Sequence, residues 1–63
     1  MTEVTIVATV EYKDGTVRYR TFRATDVSIA RMQRSLLRRL KAEEHVTHVE
    51  LGKALVQHSY GAH

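Results

Sequence analysis

The sequence contains no cysteine and no proline, only three glycines, and few aromatic residues. Without cysteine, the 63-residue chain has no disulfide to stabilise it, so packing or self-association must do so. No apolar stretch approaches the roughly 18 residues that a membrane span requires, and Glu3 stands where a signal peptide carries cations. These absences predict one globular cytoplasmic domain without a membrane segment.

Motifs that carry catalysis or hold cofactors are also missing. The glycines are isolated, so no phosphate-binding loop exists. The single helix and the sheet predicted in the following paragraphs leave little room for a concave pocket. A metal site would depend on His45, His48, His58 and His63, which we interpret as surface residues near strand ends. The sequence therefore predicts a non-enzymatic protein with no cofactor, no metal and no small-molecule substrate.

Residues 4–25 have the pattern of a β-hairpin. Apolar residues alternate from Val4 to Tyr12, which predicts a strand with one buried face. Asp14-Gly15 is a favoured pair for a two-residue type I′ turn. That loop would place Tyr12 opposite Val17, and it would direct Val17 and Tyr19 towards the core.

Phe22 does not fit this register, because it has the opposite parity to Val17 and Tyr19. Two explanations remain open. A bulge between Tyr19 and Phe22 would return Phe22 to the core. Without a bulge, Val7 and Phe22 would form an apolar patch on the outer face of the sheet, where a dimer could form.

Residues 27–44 have the pattern of an amphipathic helix, with Thr25, Asp26 or Ser28 as its N-cap. At about 100° per residue, one side is apolar. It carries Ile29, Met32, Leu36, Leu37 and Leu40. The opposite side is basic, within an arc of roughly 80°. It carries Arg31, Arg34, Arg38 and Lys41.

Residues 46–60 predict a second hairpin, because Gly52-Lys53 suits a type II′ turn between two short strands. A short helix at residues 54–58 is the alternative and would give a ββαβ order. We predict a two-layer α+β fold of ββαββ order. One helix packs on a four-stranded, mostly antiparallel sheet, in a β-grasp-like arrangement with the first and last strands paired at the centre.

This layout resembles the small immunoglobulin-binding domains of bacterial proteins L and G. Residues similar in kind and spacing to protein L are "EVTI" at residues 3–6, Ala8, Gly15, Phe22, Thr25 and Leu40. The resemblance implies the fold, and it implies that the second strand and the helix form a docking surface. Because this helix is rich in arginine, unlike the alanine-rich helix of protein L, no immunoglobulin contact is assigned to any residue.

Positive charge is concentrated in one part of the chain. Residues 16–42 hold eight of the ten basic residues and one of the seven acidic ones. This segregation predicts a one-sided basic surface that docks an acidic protein or supports self-association. The predicted surface comprises Arg31, Arg34, Arg38 and Lys41, supported by Arg18 and Arg20. Binding to the phosphate backbone of nucleic acid is the alternative, and a merely solvated helix face is the third possibility.

Overall fold

The computed structural model describes residues 1–58 and confirms a two-layer α+β fold of ββαββ order. The elements are β1 (Thr2–Tyr12), β2 (Val17–Thr25), α1 (Ile29–Lys41), β3 (Val46–Leu51) and β4 (Leu55–His58). Residues 55–58 are therefore a strand and not a helix. The predicted end of the last hairpin at residue 60 and His63 lie outside the described residues. No helix in residues 1–58 is long and apolar enough to cross a membrane.

β1 is the central strand, and every other strand pairs with it in the antiparallel sense. β2 occupies one edge of β1 along nearly its whole length. On the other edge, β3 pairs with residues 8–12 and β4 pairs with residues 2–5. The first and last strands do pair, but β4 lies at the edge of the sheet. The predicted hairpin between β3 and β4 is wrong, because the two strands follow one another along β1 in the same direction.

Gly52 explains this difference. Leu51 pairs with Ala8, and Leu55 pairs with Thr5. The three residues 52–54 therefore lie opposite only two residues of β1, 6 and 7, which is a β-bulge. The Gly52 N–H donates to the carbonyl oxygen of Val7 at 2.8 Å. A Cβ at Gly52 would lie 2.9 Å from the same oxygen. Glycine is required here for close approach to β1 within a bulge, and not for reversal of the chain.

The first hairpin has a longer loop than predicted. The Tyr12 N–H donates to the Thr16 carbonyl at 2.9 Å, the Gly15 N–H donates to the Tyr12 carbonyl at 2.9 Å, and Gly15 has a φ of 88°. This is a three-residue loop with a left-handed final residue. The predicted two-residue turn is therefore wrong, and Glu11, rather than Tyr12, pairs with Val17.

The side chain of Asp14 stabilises the longer loop. Its Oδ1 accepts hydrogen bonds from the Thr16 hydroxyl at 2.6 Å and from the Thr16 N–H at 3.0 Å. These bonds favour the ionised carboxylate, and they lower the pKa of Asp14 below its ordinary value. Asp14 and Gly15 therefore belong to a three-residue loop, and not to the two-residue turn that the Asp-Gly sequence predicted.

The change of one residue in register reverses the two faces of β2. Phe22 lies opposite Ile6, on the helix side of the sheet, and packs against the core. Tyr19 is instead 75% exposed on the outer face. Pairing between β1 and β2 is regular, so the proposed bulge is absent. The proposed outer patch is wrong too, because Val7 and Phe22 lie on opposite faces.

The core lies between β1 and α1. Its buried side chains are Val4, Ile6, Ala8, Val10, Met32, Leu36, Leu40 and Val49. Ser28 is the N-cap, and its Oγ accepts a hydrogen bond from the Arg31 N–H at 3.4 Å. The helix is shorter than predicted and begins only after this cap. Ile29 therefore stands at the end of the helix, where it is 39% exposed instead of buried.

Candidate docking site

Three of the six predicted docking residues come together. Arg31, Arg34 and Arg38 are exposed, and with Ser35 they line one shallow depression of about 440 Å³. No acidic side chain within residues 1–58 lies within 4.0 Å of these three guanidinium groups. Their charge is therefore available to a partner.

The other three predicted residues lie elsewhere. Lys41 is the last residue of α1, and it lines a separate depression with residues 46–49. Arg18 lies at the hairpin loop, in a depression with Tyr12 and His45. Arg20 forms an ion pair with Glu43. The predicted surface therefore reduces to the three arginines on the outer side of α1.

Arg20 connects β2 to the segment that follows the helix. Its Nη1 donates to Oε2 of Glu43 at 2.7 Å, and its guanidinium carbon lies 5.4 Å from the centroid of the Phe22 ring. The hydrogen bond from Arg20 to Glu43 raises the pKa of Arg20 above its ordinary value. Arg20 thus helps to hold Phe22 and the end of the helix in place, and it is not free for a partner.

We expect Glu43→Gln to lower the free energy of unfolding by about 1 kcal/mol or less, because both partners of the ion pair are exposed to solvent. Urea denaturation followed by circular dichroism measures this difference. Glu44→Gln is the matched control and should change stability less, because Glu44 forms no ion pair within the described part of the chain. A loss at Glu43 well above that range would contradict a surface role for the pair.

A groove between α1 and β2 was not predicted from the sequence. It has a volume of about 290 Å³. Apolar side chains line it: Phe22, Ala24, Val27, Met32 and Leu36. Arginines also line it: Arg23, Arg31 and Arg39. We call this feature the α1–β2 groove. It exists because the helix packs its buried residues over β1 and β3, so that β2 is covered only in part.

Two sequence features could have indicated the groove. Phe22 is the only phenylalanine, and its parity conflicts with the two-residue turn. Arg39 lies about 60° from Leu36 on the helical wheel, close to the apolar side of α1. An arginine so near the buried face indicates that this flank of the helix remains open. The partial cover of β2 depends on contacts between distant segments, and no local pattern encodes it.

Other polar clusters in the described residues offer less chemistry. The depression at the hairpin loop has a volume of about 590 Å³, but Asp14 and Thr16 in its lining already bond to each other. The Nδ1 of His58 lies 3.2 Å from the hydroxyl oxygen of Thr2. Within residues 1–58 no group of three histidine or carboxylate side chains could hold a metal ion.

The α1–β2 groove and the adjacent face of α1 thus combine apolar contact area with arginines that have no acidic neighbour within 4.0 Å in residues 1–58. Comparison with protein-family models, with curated proteins and with solved structures finds no match to this chain.

Proposed function

We propose that this protein is a small non-enzymatic binding module that docks an acidic, amphipathic segment of a partner protein in the α1–β2 groove. One observation carries the proposal. An apolar floor that includes Phe22 and Met32 lies beside Arg31 and Arg39, and neither arginine has an acidic neighbour within 4.0 Å in residues 1–58.

The apolar side chains of the groove favour an apolar face of the partner, and the arginines favour its acidic residues. Burial of apolar side chains contributes roughly 25 cal/mol per Å² of apolar surface removed from water, and the cost of ordering the two partners offsets part of it. The arginines supply orientation and a faster encounter with an acidic partner. A helix that carries leucines on one side and carboxylates along both flanks satisfies both demands, and helix-in-groove docking is a common mode of recognition. The 13 residues of α1 run for about 20 Å, which matches roughly four turns of such a helix.

Contact with the phosphates of nucleic acid is the second candidate function. The row of Arg31, Arg34 and Arg38 on one helix face favours it. The apolar floor of the groove has no role in phosphate contact. The exposed Tyr19 lies on the opposite face of the sheet, so it cannot stack bases beside these arginines. The acidic protein segment therefore accounts for more of the site.

A synthetic peptide tests the proposal directly. The probe is a fluorescent helical peptide with leucines on one face and glutamates on both flanks, and its control is a scrambled peptide of the same composition. We expect the amphipathic peptide to bind at least about tenfold more tightly than the scrambled one, because only the former presents a continuous apolar face. Fluorescence anisotropy at physiological salt measures both affinities.

Paired charge reversals locate the binding surface. Arg31→Glu with Arg39→Glu should weaken peptide binding by about tenfold or more. Lys41→Glu with Lys53→Glu makes the same change in net charge away from the groove, and it should weaken binding by less than about threefold. Equal losses in the two variants would contradict docking in the groove. Absence of peptide binding, together with salt-sensitive binding of duplex DNA, would replace the proposal with the nucleic-acid alternative.

A further inference from the structure

β2 has a free backbone edge. The hydrogen bond from the Tyr12 N–H to Thr16 and that from the Asp26 N–H to Thr2 flank the pairing of β1 with β2. Hydrogen-bonded pairs alternate along an antiparallel ladder, so the even-numbered residues of β2 direct their N–H and C=O groups at β1. The odd-numbered residues direct theirs away from the sheet. These are Val17, Tyr19, Thr21, Arg23 and Thr25, all of them exposed. No other element in residues 1–58 pairs with this edge.

A second copy of β2 matches this edge in backbone geometry. In a two-fold antiparallel pairing, a residue with outward N–H and C=O groups must meet another of the same kind. The register that uses the whole strand is centred on Thr21, which then lies opposite Thr21 of the second copy. In that register Val17 meets Thr25, and every outward N–H of the strand finds a carbonyl.

The side chains select the same register. β2 contains three arginines, and none of them meets another arginine when Thr21 is at the centre. Arg23 lies opposite the exposed Tyr19, and this pair favours contact between a cation and an aromatic ring. Arg20, which is already bound to Glu43, lies opposite Phe22 and meets no like charge. Sliding by two residues in one direction would place Arg20 against Arg20. Sliding by two in the other direction would leave Val17 and Arg18 without partners.

We propose that the protein forms a two-fold homodimer through antiparallel pairing of β2 with β2, centred on Thr21. The two sheets then become one, and this removes the long exposed edge that a monomer presents to solvent. The proposal does not rest on the docking function, because its backbone hydrogen bonds use the edge of β2 that faces away from β1. Phe22 and Arg23 belong to both the groove and the proposed interface. A two-fold axis perpendicular to the sheet places both helices on the same face, so the two grooves open to the same side.

Analytical ultracentrifugation of the full chain over a range of concentrations tests the proposal, with a dimer expected at micromolar concentration. Tyr19→Arg should weaken dimerisation by about tenfold or more, because it places two arginines opposite each other twice in the symmetric interface. Adding Arg23→Glu to Tyr19→Arg should restore the dimer, because opposite charges then meet. Val17→Arg adds the same charge opposite Thr25 and should leave the dimer nearly intact.

Tyr19 is 75% exposed, so the substitution should not disturb the fold, and circular dichroism of each variant checks this. A monomer at every concentration up to the millimolar range would overturn the proposal. A dimer that tolerates Tyr19→Arg, or one that Arg23→Glu fails to restore, would also overturn it. If a monomeric protein binds the peptide in the groove, the dimer proposal is contradicted and the proposed docking function is kept.

Discussion

Ile6→Ala is expected to lower the free energy of unfolding by about 2–5 kcal/mol. Ile6 lies in the middle of the central strand with no exposed surface, and it packs in one cluster with Val4, Met32 and Leu36. Truncation would leave a cavity that the surrounding backbone of β1 cannot fill. A domain of this length has a total stability of roughly 3–9 kcal/mol. We therefore expect a substantial unfolded population at physiological temperature, measured by urea and thermal denaturation.

Val7→Ala is the control for this prediction. Val7 is the next residue in β1, but it faces away from the helix and is 38% exposed. Its truncation removes less buried apolar surface and should cost less than about 1 kcal/mol. Equal losses at Ile6 and Val7 would contradict a sheet that is covered on one face only.

Gly52→Ala is expected to lower the free energy of unfolding by about 1–3 kcal/mol. The new Cβ would lie 2.9 Å from the backbone carbonyl oxygen of Val7, and a backbone atom cannot swing aside as a flexible side chain can. The edge would have to move away from β1, at the expense of the 2.8 Å hydrogen bond that the Gly52 N–H donates. Amide hydrogen exchange should show the loss of protection in β4 first, because β4 is short and exposed.

Gly15 provides a matched control, because its constraint is a left-handed backbone conformation, whereas that of Gly52 is close contact with β1. It has a φ of 88°, and no neighbouring atom lies within 4 Å of the position that a Cβ would occupy, so only backbone strain opposes a side chain there. Asparagine tolerates this left-handed conformation better than alanine does. We therefore expect Gly15→Asn to cost little, and Gly52→Asn to cost as much as Gly52→Ala. A neutral Gly52→Ala would contradict the close approach to β1 and favour the reverse turn instead.

The strongest periodic signals predicted the fold correctly. Alternation from Val4 to Val10 indicated the buried face of the central strand, and the spacing of Met32, Leu36 and Leu40 indicated the buried face of the helix. These signals are local and repeat over several residues. Each of them depends only on which side of an element meets the core, and the order of the elements along the chain then indicates the fold class.

The errors arose at two glycines, where one residue type serves several backbone geometries. Asp14-Gly15 suits both a two-residue loop and the end of a three-residue loop, and the choice between them decides which face Arg18, Arg20 and Phe22 occupy. Gly52 suits both a reverse turn and a bulge. The candidate site was predicted only in part for the same reason. Its helical arginines followed from the wheel, but the groove depends on the register of β2.

The pairing of β4 with β1 also has a kinetic consequence. β1 meets β2 through a short loop, whereas Thr2 and His58 meet across 56 residues of chain. Closing so long a loop costs more entropy, and pairings between distant segments slow the folding of small domains. We expect the hairpin and helix to form early and β4 to dock last. Until it docks, the edge of β1 at residues 2–5 stays open, and in a concentrated solution a strand from another unfolded chain would insert there.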